Sequence, residues 1–316
     1  MNGLNFQLPT SNCQVEAGWW LVPRTLLVLS LVGTLGAPTS VHAWGYDAHK
    51  FIVDRAIPLL PDALRPLFEA NRAIVVEHAI DPDLWRDLFG AVEDPHHFLD
   101  FDWQGYGPYP FAGLPRNLDA AVKKFGKAQI DRNGTLPWRT EEMYGKLKDA
   151  FVAYPRRGLF GRFDVLFYSA WLGHYVSDAH VPLHAVVDSD GQRTGQRGIH
   201  TRFEALMFER YVKQLKLAPA RIEAIRAPLD FTFDALLQGT QLVPAVLEAD
   251  RTAIGTRDVY DDAYYEAFFK GSRAVLERRL DESTSAVAAM IAGAWEAAGK
   301  PPVPVRAQDS DQRRRR

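Results

Sequence analysis

The densest group of chemically active side chains lies in LGHYVSDAHVPLH, residues 172–184. His174 and Asp178 are four residues apart, so on a helix both side chains lie on one face and can bind the same ion. Pro182 should end that helix, which lets His184 turn back toward the same region. The spacing therefore predicts three metal ligands within one short segment.

A second chelating pair follows in GIHTRFE, where His200 and Glu204 repeat the four-residue spacing. A single pair of this kind is usually a surface ion pair, and a lone histidine on an apolar face is usually a structural core residue. Two such pairs in order, with His184 between them, favour a metal site over these simpler interpretations.

Helices must position these side chains, because apolar residues recur at three- and four-residue spacing along most of the chain. Loops rich in Gly and Pro separate these stretches near residues 108–115, 131–137, 154–158 and 188–198. Alternating β patterns are scarce, so we expect an all-α fold, a single mainly helical domain. The predicted helices are 46–58, 60–70, 115–127, 140–153, 162–180, 199–216, 232–248, 258–270 and 272–298.

The first 43 residues are typical of a signal peptide, since Arg24 precedes an apolar run and Val41 and Ala43 are small residues suited to signal peptidase. Cleavage would make Trp44 the first residue of a secreted or periplasmic protein. We therefore expect a signal peptide over 1–43, a domain over 44–300 that carries the predicted metal ligands and a disordered tail over 301–316.

The composition limits how such a protein can be stabilised. The single cysteine, Cys13, would be removed with the signal, so no disulfide can form and the fold must depend on its core or on bound ions. The net charge of −2 predicts no broad basic face for nucleic acid, so an anionic substrate must be attracted locally. We expect a monomer without a stable protein partner.

The ordered ligands resemble the superfamily that contains the S1/P1 nucleases and the bacterial zinc-dependent phospholipases C. Its pattern is H-x3-D-x5-H followed by H-x3-D or H-x3-E, and the resemblance extends from residue 44 to about residue 210. It implies a fold of the phospholipase C/P1 nuclease type and three zinc ions. The residues that match the pattern are His174, Asp178, His184, His200 and Glu204.

The resemblance also implies ligands outside this pattern. In WGYDAH, Trp44 would bind zinc through its backbone amino and carbonyl groups, together with His49. AIDPDLWR supplies Asp83, with Asp81 as a competing choice, and PHHFLDFD supplies His97. His78, His96 and His180 are expected to be structural or orienting residues. The implied sets are Asp83, His97, His174 and Asp178; His184, His200 and Glu204; and Trp44, His49 and a bridging Asp178.

Such a centre implies hydrolysis of phosphodiesters by a zinc-bound hydroxide. Asp83 and Asp178 would hold the catalytic ions, and Arg86 would neutralise charge on the phosphate, its alternative role being a surface salt bridge. Phe98 and Asp100 would stack on and hydrogen-bond a nucleobase, or else belong to the core. We therefore expect an endonuclease whose substrate is single-stranded nucleic acid.

Two other functions stay open. Glu204, where the nucleases usually have Asp, and the short loop 188–198 are closer to the phospholipases C, which would make phospholipid the substrate. A zinc-binding protein without catalysis would carry the same ligands. It would leave Arg86 without a purpose beside them.

Overall fold

The computed structural model describes residues 45–305. Within this range 72% of the residues are helical and none belongs to a strand, so the prediction of a mainly helical fold is confirmed. The helices are α1 (Tyr46–Ala56), α2 (Arg65–Ala70), α3 (Arg72–Glu77), α4 (Asp81–Phe89), α5 (Leu118–Phe125), α6 (Lys127–Asn133), α7 (Leu136–Asp178), α8 (Ile199–Thr201), α9 (Met207–Tyr211), α10 (Pro228–Thr240), α11 (Val243–Ile254) and α12 (Asp262–Ala297).

Shorter helical turns connect these helices and carry several of the predicted ligands. A π-helical segment, Arg202–Leu206, joins α8 to α9 and contains Glu204. The 3₁₀ turns are Ile57–Leu59, His78–Ile80, Gly90–Val92, Asp94–His97, Gln104–Tyr106, Pro182–Ala185 and Val212–Gln214.

The two longest helices, α7 with 43 residues and α12 with 36, pack against each other. Residues 283–295 of α12 are all buried, and most of them are small, so neighbouring backbone can approach closely. At Gly293 a Cβ would lie only 1.8 Å from Ile225 O. The predicted Ala-rich C-terminal helix is therefore a central helix of the core.

The structure confirms one predicted break: at Gly158, φ is 54° and ψ is −123°, which is not helical, so two helices meet there within α7. Other predicted boundaries were wrong. The predicted helices 258–270 and 272–298 are one helix, α12, which runs through Gly271. Conversely, the predicted helix 232–248 is two helices, α10 and α11, and α3, α4 and α6 were not predicted.

The predicted signal peptide and Trp44 lie outside the described residues, as do residues 306–316. Residues 301–305, which the sequence assigned to a disordered tail, pack on the domain: Val303 is buried, and the hydroxyl of Tyr154 donates to Pro304 O at 2.7 Å. The ordered domain therefore extends past residue 300. Among residues 45–305, no helix has the length and apolar character needed to cross a membrane.

Candidate metal centre

Eight side chains from seven helical elements meet in one buried group, which we call the metal-ligand cluster. All but His200 are at most 3% exposed, and His200 is 12% exposed. These residues could hold metal ions in three groups, two of which share His174. The members are His49 on α1, Asp83 on α4, His97 and His184 on 3₁₀ turns, His174 and Asp178 on α7, His200 on α8 and Glu204 on the π-helical segment.

One part of the cluster brings four ligand atoms together. His97 Nδ1 lies 3.0 Å from Asp178 Oδ2 and 3.1 Å from His174 Nε2. Asp83 Oδ1 is 3.7 Å from the same nitrogen of His97 and 3.8 Å from His174 Nε2. Tetrahedral zinc, with bonds of about 2.0–2.2 Å, would place its ligand atoms about 3.3–3.6 Å apart. The atoms of His97, His174 and Asp178 therefore lie close enough together to bind one small divalent cation, and Asp83 groups with His49 and His174 beside them.

A second part consists of the ligands that follow α7. His184 Nε2 is 3.0 Å from His200 Nε2 and 3.6 Å from Glu204 Oε2, and His200 Nε2 is 2.9 Å from Glu204 Oε1. The side chains of His200 and Glu204 stay in contact although the helix between them widens into a π-helical segment. Such segments are frequent at functional sites. The structure thus groups the three residues that the sequence grouped.

Of the ligands predicted for the third ion, His49 and Asp178 lie together, and Trp44 lies outside the described residues. His49 Nε2 is 3.4 Å from Asp178 Oδ1, while Asp178 Oδ2 faces His97 and His174. Each oxygen of Asp178 therefore faces a different set of nitrogens, as a bridging carboxylate would. Asp83 Oδ2 is 4.0 Å from His49 Nε2, so Asp83 also lies beside this position.

Most carboxylate oxygens of the cluster accept no hydrogen bond from the described residues. Both oxygens of Asp83, both of Glu204 and Oδ1 of Asp178 are buried and accept no hydrogen bond from residues 45–305. The nearby nitrogen of His200 is not aligned to donate to Glu204. Because a buried carboxylate without donors or a counter-ion is costly, this donor set fits a bound cation.

The charges within the cluster are strongly coupled. Burial alone would raise the pKa of Asp178, but the imidazoles of His174, His49 and His97 outweigh it and hold that pKa well below its usual value. Burial would lower the pKa of His97, but Asp178 and Glu93 raise it to about 9. Without a metal ion, His97 beside Asp178 therefore carries an extra proton at neutral pH. A metal ion that binds His97 must displace this proton.

A hydrogen bond outside the cluster orients one of its imidazoles, and a carboxylate lies behind another. His174 Nδ1 lies 2.9 Å from Ala79 O and must donate to it, so His174 Nε2 presents its lone pair to the cluster. Glu93 Oε1 is 3.7 Å from His97 Nε2. The hydroxyl of Tyr175 donates to the same oxygen, and Arg139 donates to Oε2 at 3.4 Å. Sequence reasoning missed Glu93, although it stands four residues before His97.

The backbone around residues 98–101 joins the two 3₁₀ turns that carry ligands. The amides of Leu99 and Phe101 donate to His184 O and Ala185 O, while the amide of Asp100 donates to Asn133 O on the other side. Gly134 allows the backbone at Asn133 to approach this closely. The φ of Gly134 is 92°, and a Cβ there would lie 2.1 Å from Phe98 O. This pairing fixes His97 relative to His184.

Arg279, which sequence reasoning also missed, holds the turn between Asp178 and His184. Its fully buried guanidinium donates to the carbonyls of Ala179, His180 and Ala235. Burial lowers the pKa of Arg279 to about 10, so it stays charged at neutral pH. The end of α7 is thereby tied to α12 and α10.

A cavity of about 350 Å³ opens beside the cluster and is lined by His97, His184, Arg86, Phe98 and Asp100, among others. The half-buried Arg86 donates to Asp94 Oδ1 at 2.7 and 3.1 Å and lies 3.6 Å from Asp83 Oδ1. An arginine, an aromatic ring and a carboxyl thus lie next to the metal ligands.

Asp100 has an unusual protonation equilibrium. Burial, with the charge of Asp102, raises its pKa from 3.8 to about 7, although Arg193 opposes the shift. At neutral pH its carboxyl can therefore donate or accept a hydrogen bond. The structure places Phe98 and Asp100 on the cavity wall rather than in the core.

Contacts separate Asp83 from its competing choice Asp81, and they place His96 outside the cluster, as expected for an orienting residue. Asp83 points into the cluster, whereas Asp81 Oδ2 binds His78 at 2.8 Å and Trp171 at 2.9 Å. Likewise, His96 Nδ1 lies 2.7 Å from the hydroxyl of Thr135, away from the ligand atoms.

Comparison with known proteins does not assign the chain to a family. No protein-family model matches it, and no curated protein matches it either. The family relationship therefore stays a hypothesis that depends on the motifs and their spacing.

Proposed function

We propose that this chain is an exported zinc-dependent phosphodiesterase of the nuclease type, which hydrolyses single-stranded DNA or RNA. One observation carries the proposal: a buried cluster of eight ligand side chains, with unsatisfied carboxylates, beside a cavity that contains Arg86. The ligand atoms are nitrogen and oxygen only, as in catalytic zinc sites.

The proposed ligand sets assign three zinc ions. Asp83, His97, His174 and Asp178 would hold the first, and His184, His200 and Glu204 the second. Trp44, His49 and the second oxygen of Asp178 would hold the third. Bound zinc would supply a nucleophile near neutral pH by lowering the pKa of water.

The protein's own residues bind and orient the substrate. Arg86, held by Asp94, would contact the phosphate and offset the negative charge that grows on its oxygens during hydrolysis. Phe98 would stack on a base, an interaction of about 1–3 kcal/mol that tolerates any base. Asp100 would hydrogen-bond the base edge. The cavity volume of about 350 Å³ suits one small ligand or nucleotide.

A phospholipase C is the second candidate, and one structural feature favours it. Leu88 and Phe89, at the end of the helix that carries Arg86, and Val92, just after it, are 73%, 59% and 74% exposed. Exposed apolar side chains of this kind suit a lipid surface. Glu204 and the short loop 188–198 agree with this alternative.

The deciding experiment uses the processed protein, which begins at Trp44. Metal content is measured by mass spectrometry, and turnover is measured on single-stranded DNA, RNA and phosphatidylcholine in parallel. We expect about three zinc ions and cleavage of the oligonucleotides. Release of choline phosphate with intact oligonucleotides would support the phospholipase, and bound metal without turnover would support a zinc-binding protein.

A second experiment tests the N-terminal ligand. One alanine placed before Trp44 removes its free amino group, so we expect about two zinc ions instead of about three and a lower rate. The matched control carries the extra alanine after Arg316. Equal metal content and rate in both proteins would show that Trp44 is not a ligand.

A further inference from the structure

A second cavity, of about 480 Å³, lies at His180, whereas His184, four residues later, lines the first cavity. Its apolar wall includes Phe231 and Ile222. Three carboxylates also line it, those of Asp234, Asp281 and Glu282, and no lysine or arginine does. The cavity therefore combines apolar surface with negative charge.

His180 adds a hydrogen-bond acceptor to this cavity. The residue is 97% buried by area, since only 3% is exposed, and its Nδ1 lies 2.7 Å from Val176 O. Because a carbonyl only accepts, Nδ1 carries the proton and Nε2 carries the lone pair. Within residues 45–305, Nε2 has no hydrogen-bond partner, and His180 lines the cavity. An acceptor on a largely buried side chain is thus available to a ligand.

The carboxylates of this cavity differ in their partners. Asp234 pairs with Arg116, and Glu282 pairs with Arg279. Asp281 accepts a hydrogen bond from the amide of Ala218 at 2.9 Å, but no side-chain cation of the described residues pairs with it. The charge of Asp281 is therefore left for a cation that enters the cavity.

The cavity wall is held in place before any ligand binds. Residues 216–220 run along α12, where Glu277, Asp281 and Ser285 accept hydrogen bonds from the amides of residues 216, 218 and 220. Side chains four residues apart on α12 thus bind amides two residues apart in the segment 216–220. A preformed wall lowers the entropic cost of binding.

We propose that this cavity binds an organic ammonium ion with an apolar body, of the arylalkylamine class. The ammonium group donates to Asp281 and to Nε2 of His180, and the ring packs on Phe231 and Ile222. The acceptors exclude a carboxylate or a phosphate as the ligand, because no lining residue offers a positive charge. The site uses none of the proposed zinc ligands.

The test is calorimetric titration of the zinc-loaded protein with 2-phenylethylammonium, 2-phenylethanol and phenylacetate, which share one ring and differ in charge. We expect the ammonium ion to bind at least about tenfold more tightly than the alcohol and phenylacetate not to bind. Equal binding of the ammonium ion and the alcohol would overturn the proposal. So would binding that is seen only after zinc is removed, because the cation would then occupy the metal-ligand cluster.

Two pairs of variants locate the site. Asp281→Asn keeps an acceptor for Ala218 and should weaken ammonium binding at least about fivefold, whereas Asp149→Asn, at an exposed position, should not. Gln238→Trp should fill the cavity and abolish binding, whereas the exposed Gln241→Trp should leave it unchanged. Thermal unfolding of all four variants checks their folding. Equal affinities within either pair would overturn the assignment.

Discussion

The metal-ligand cluster and the network around Asp250 are both buried and charged, but their carboxylates have different partners. Asp250 Oδ1 accepts from Arg202 at 3.0 and 3.3 Å and from the hydroxyl of Tyr264, and Oδ2 accepts from Gln196 at 2.6 Å. Asp83 and Glu204 accept no hydrogen bond from the described residues. The Asp250 network is complete without a ligand, whereas the metal-ligand cluster could hold a cation.

The difference is sharpest on a single short segment. Arg202 and Glu204 both lie on the π-helical segment Arg202–Leu206, yet Arg202 completes the Asp250 network and Glu204 belongs to the cluster. Burial of charge by itself is therefore a poor guide to function. The informative property is whether the protein supplies the partners of each buried polar atom.

The largest effect is expected from Asp178→Asn, which removes the carboxylate that faces two sets of imidazoles. Zinc content should fall from about three ions to one, and the phosphodiesterase rate should fall by about 10³-fold or more. Mass spectrometry of the purified variant and turnover of a single-stranded oligonucleotide measure the two quantities. Unchanged zinc content would contradict the role of Asp178 as a bridge.

The matched change in the complete network is Asp250→Asn, which leaves Arg202 buried without its counter-ion. The free energy of unfolding should fall by about 3–5 kcal/mol, because breaking a buried ion pair strands the remaining charge. Zinc content of the folded variant should not change. Urea unfolding and metal analysis check both points, and loss of zinc would show that the two regions are not separable.

The part of the site that could be predicted from the sequence depends on local geometry. His174 with Asp178, and His200 with Glu204, are pairs four residues apart, and helical geometry alone brings each pair together. Such spacing cannot show that His97 approaches His174, since 77 residues separate them. That contact depends on how α7 packs against the 3₁₀ turn Asp94–His97.

The features that were missed depend on tertiary packing. Gly271 looked like a helix end, but it allows α12 to approach α11, since a Cβ there would lie 3.0 Å from Ala249 Cβ. The start of α11 did have a local signal, because Pro244 occupies its first turn. Nothing local indicates that Arg279 binds carbonyls about 100 residues earlier in the chain.

A smaller effect is expected at Glu93. Like Asp250, Glu93 accepts hydrogen bonds from protein side chains, but it also faces His97 of the metal-ligand cluster. Burial would raise its pKa, but His97, Tyr175 and Arg139 hold that pKa below the usual value, so Glu93 is ionised at neutral pH. Glu93→Gln should weaken zinc binding by about 10–100-fold, because the carboxylate behind a ligand imidazole is lost.

Competition with a chromogenic chelator measures this affinity. The control is Glu142→Gln, since Glu142 also binds Arg139, at 2.9 Å, but belongs to none of the ligand groups. Equal zinc affinities in the two variants would show that Glu93 does not orient His97.

The smallest effect is expected at Asp100, whose pKa is raised from 3.8 to about 7, mainly by burial and by Asp102. The folded state then binds this proton more tightly than the unfolded chain, so the stabilisation is complete below pH 3.8 and is lost as the pH rises through 7. Asp100→Asn removes this titration. From pH 4 to pH 8 the free energy of unfolding should fall less in the variant than in the wild type. The two falls should differ by at least about 1.4 kcal/mol, which corresponds to one pKa unit.

Urea unfolding at several pH values measures this difference, and Asp149→Asn is the exposed control. Parallel pH curves for Asp100→Asn and the wild type would contradict the raised pKa. If the difference is found, oligonucleotide binding by the wild type should also change between pH 6 and 8, because the carboxyl changes from donor to acceptor there. Together the two results would show that the carboxyl of Asp100 binds a ligand, as we propose for the carboxylates of the cluster. Asp250, in contrast, binds side chains of the protein.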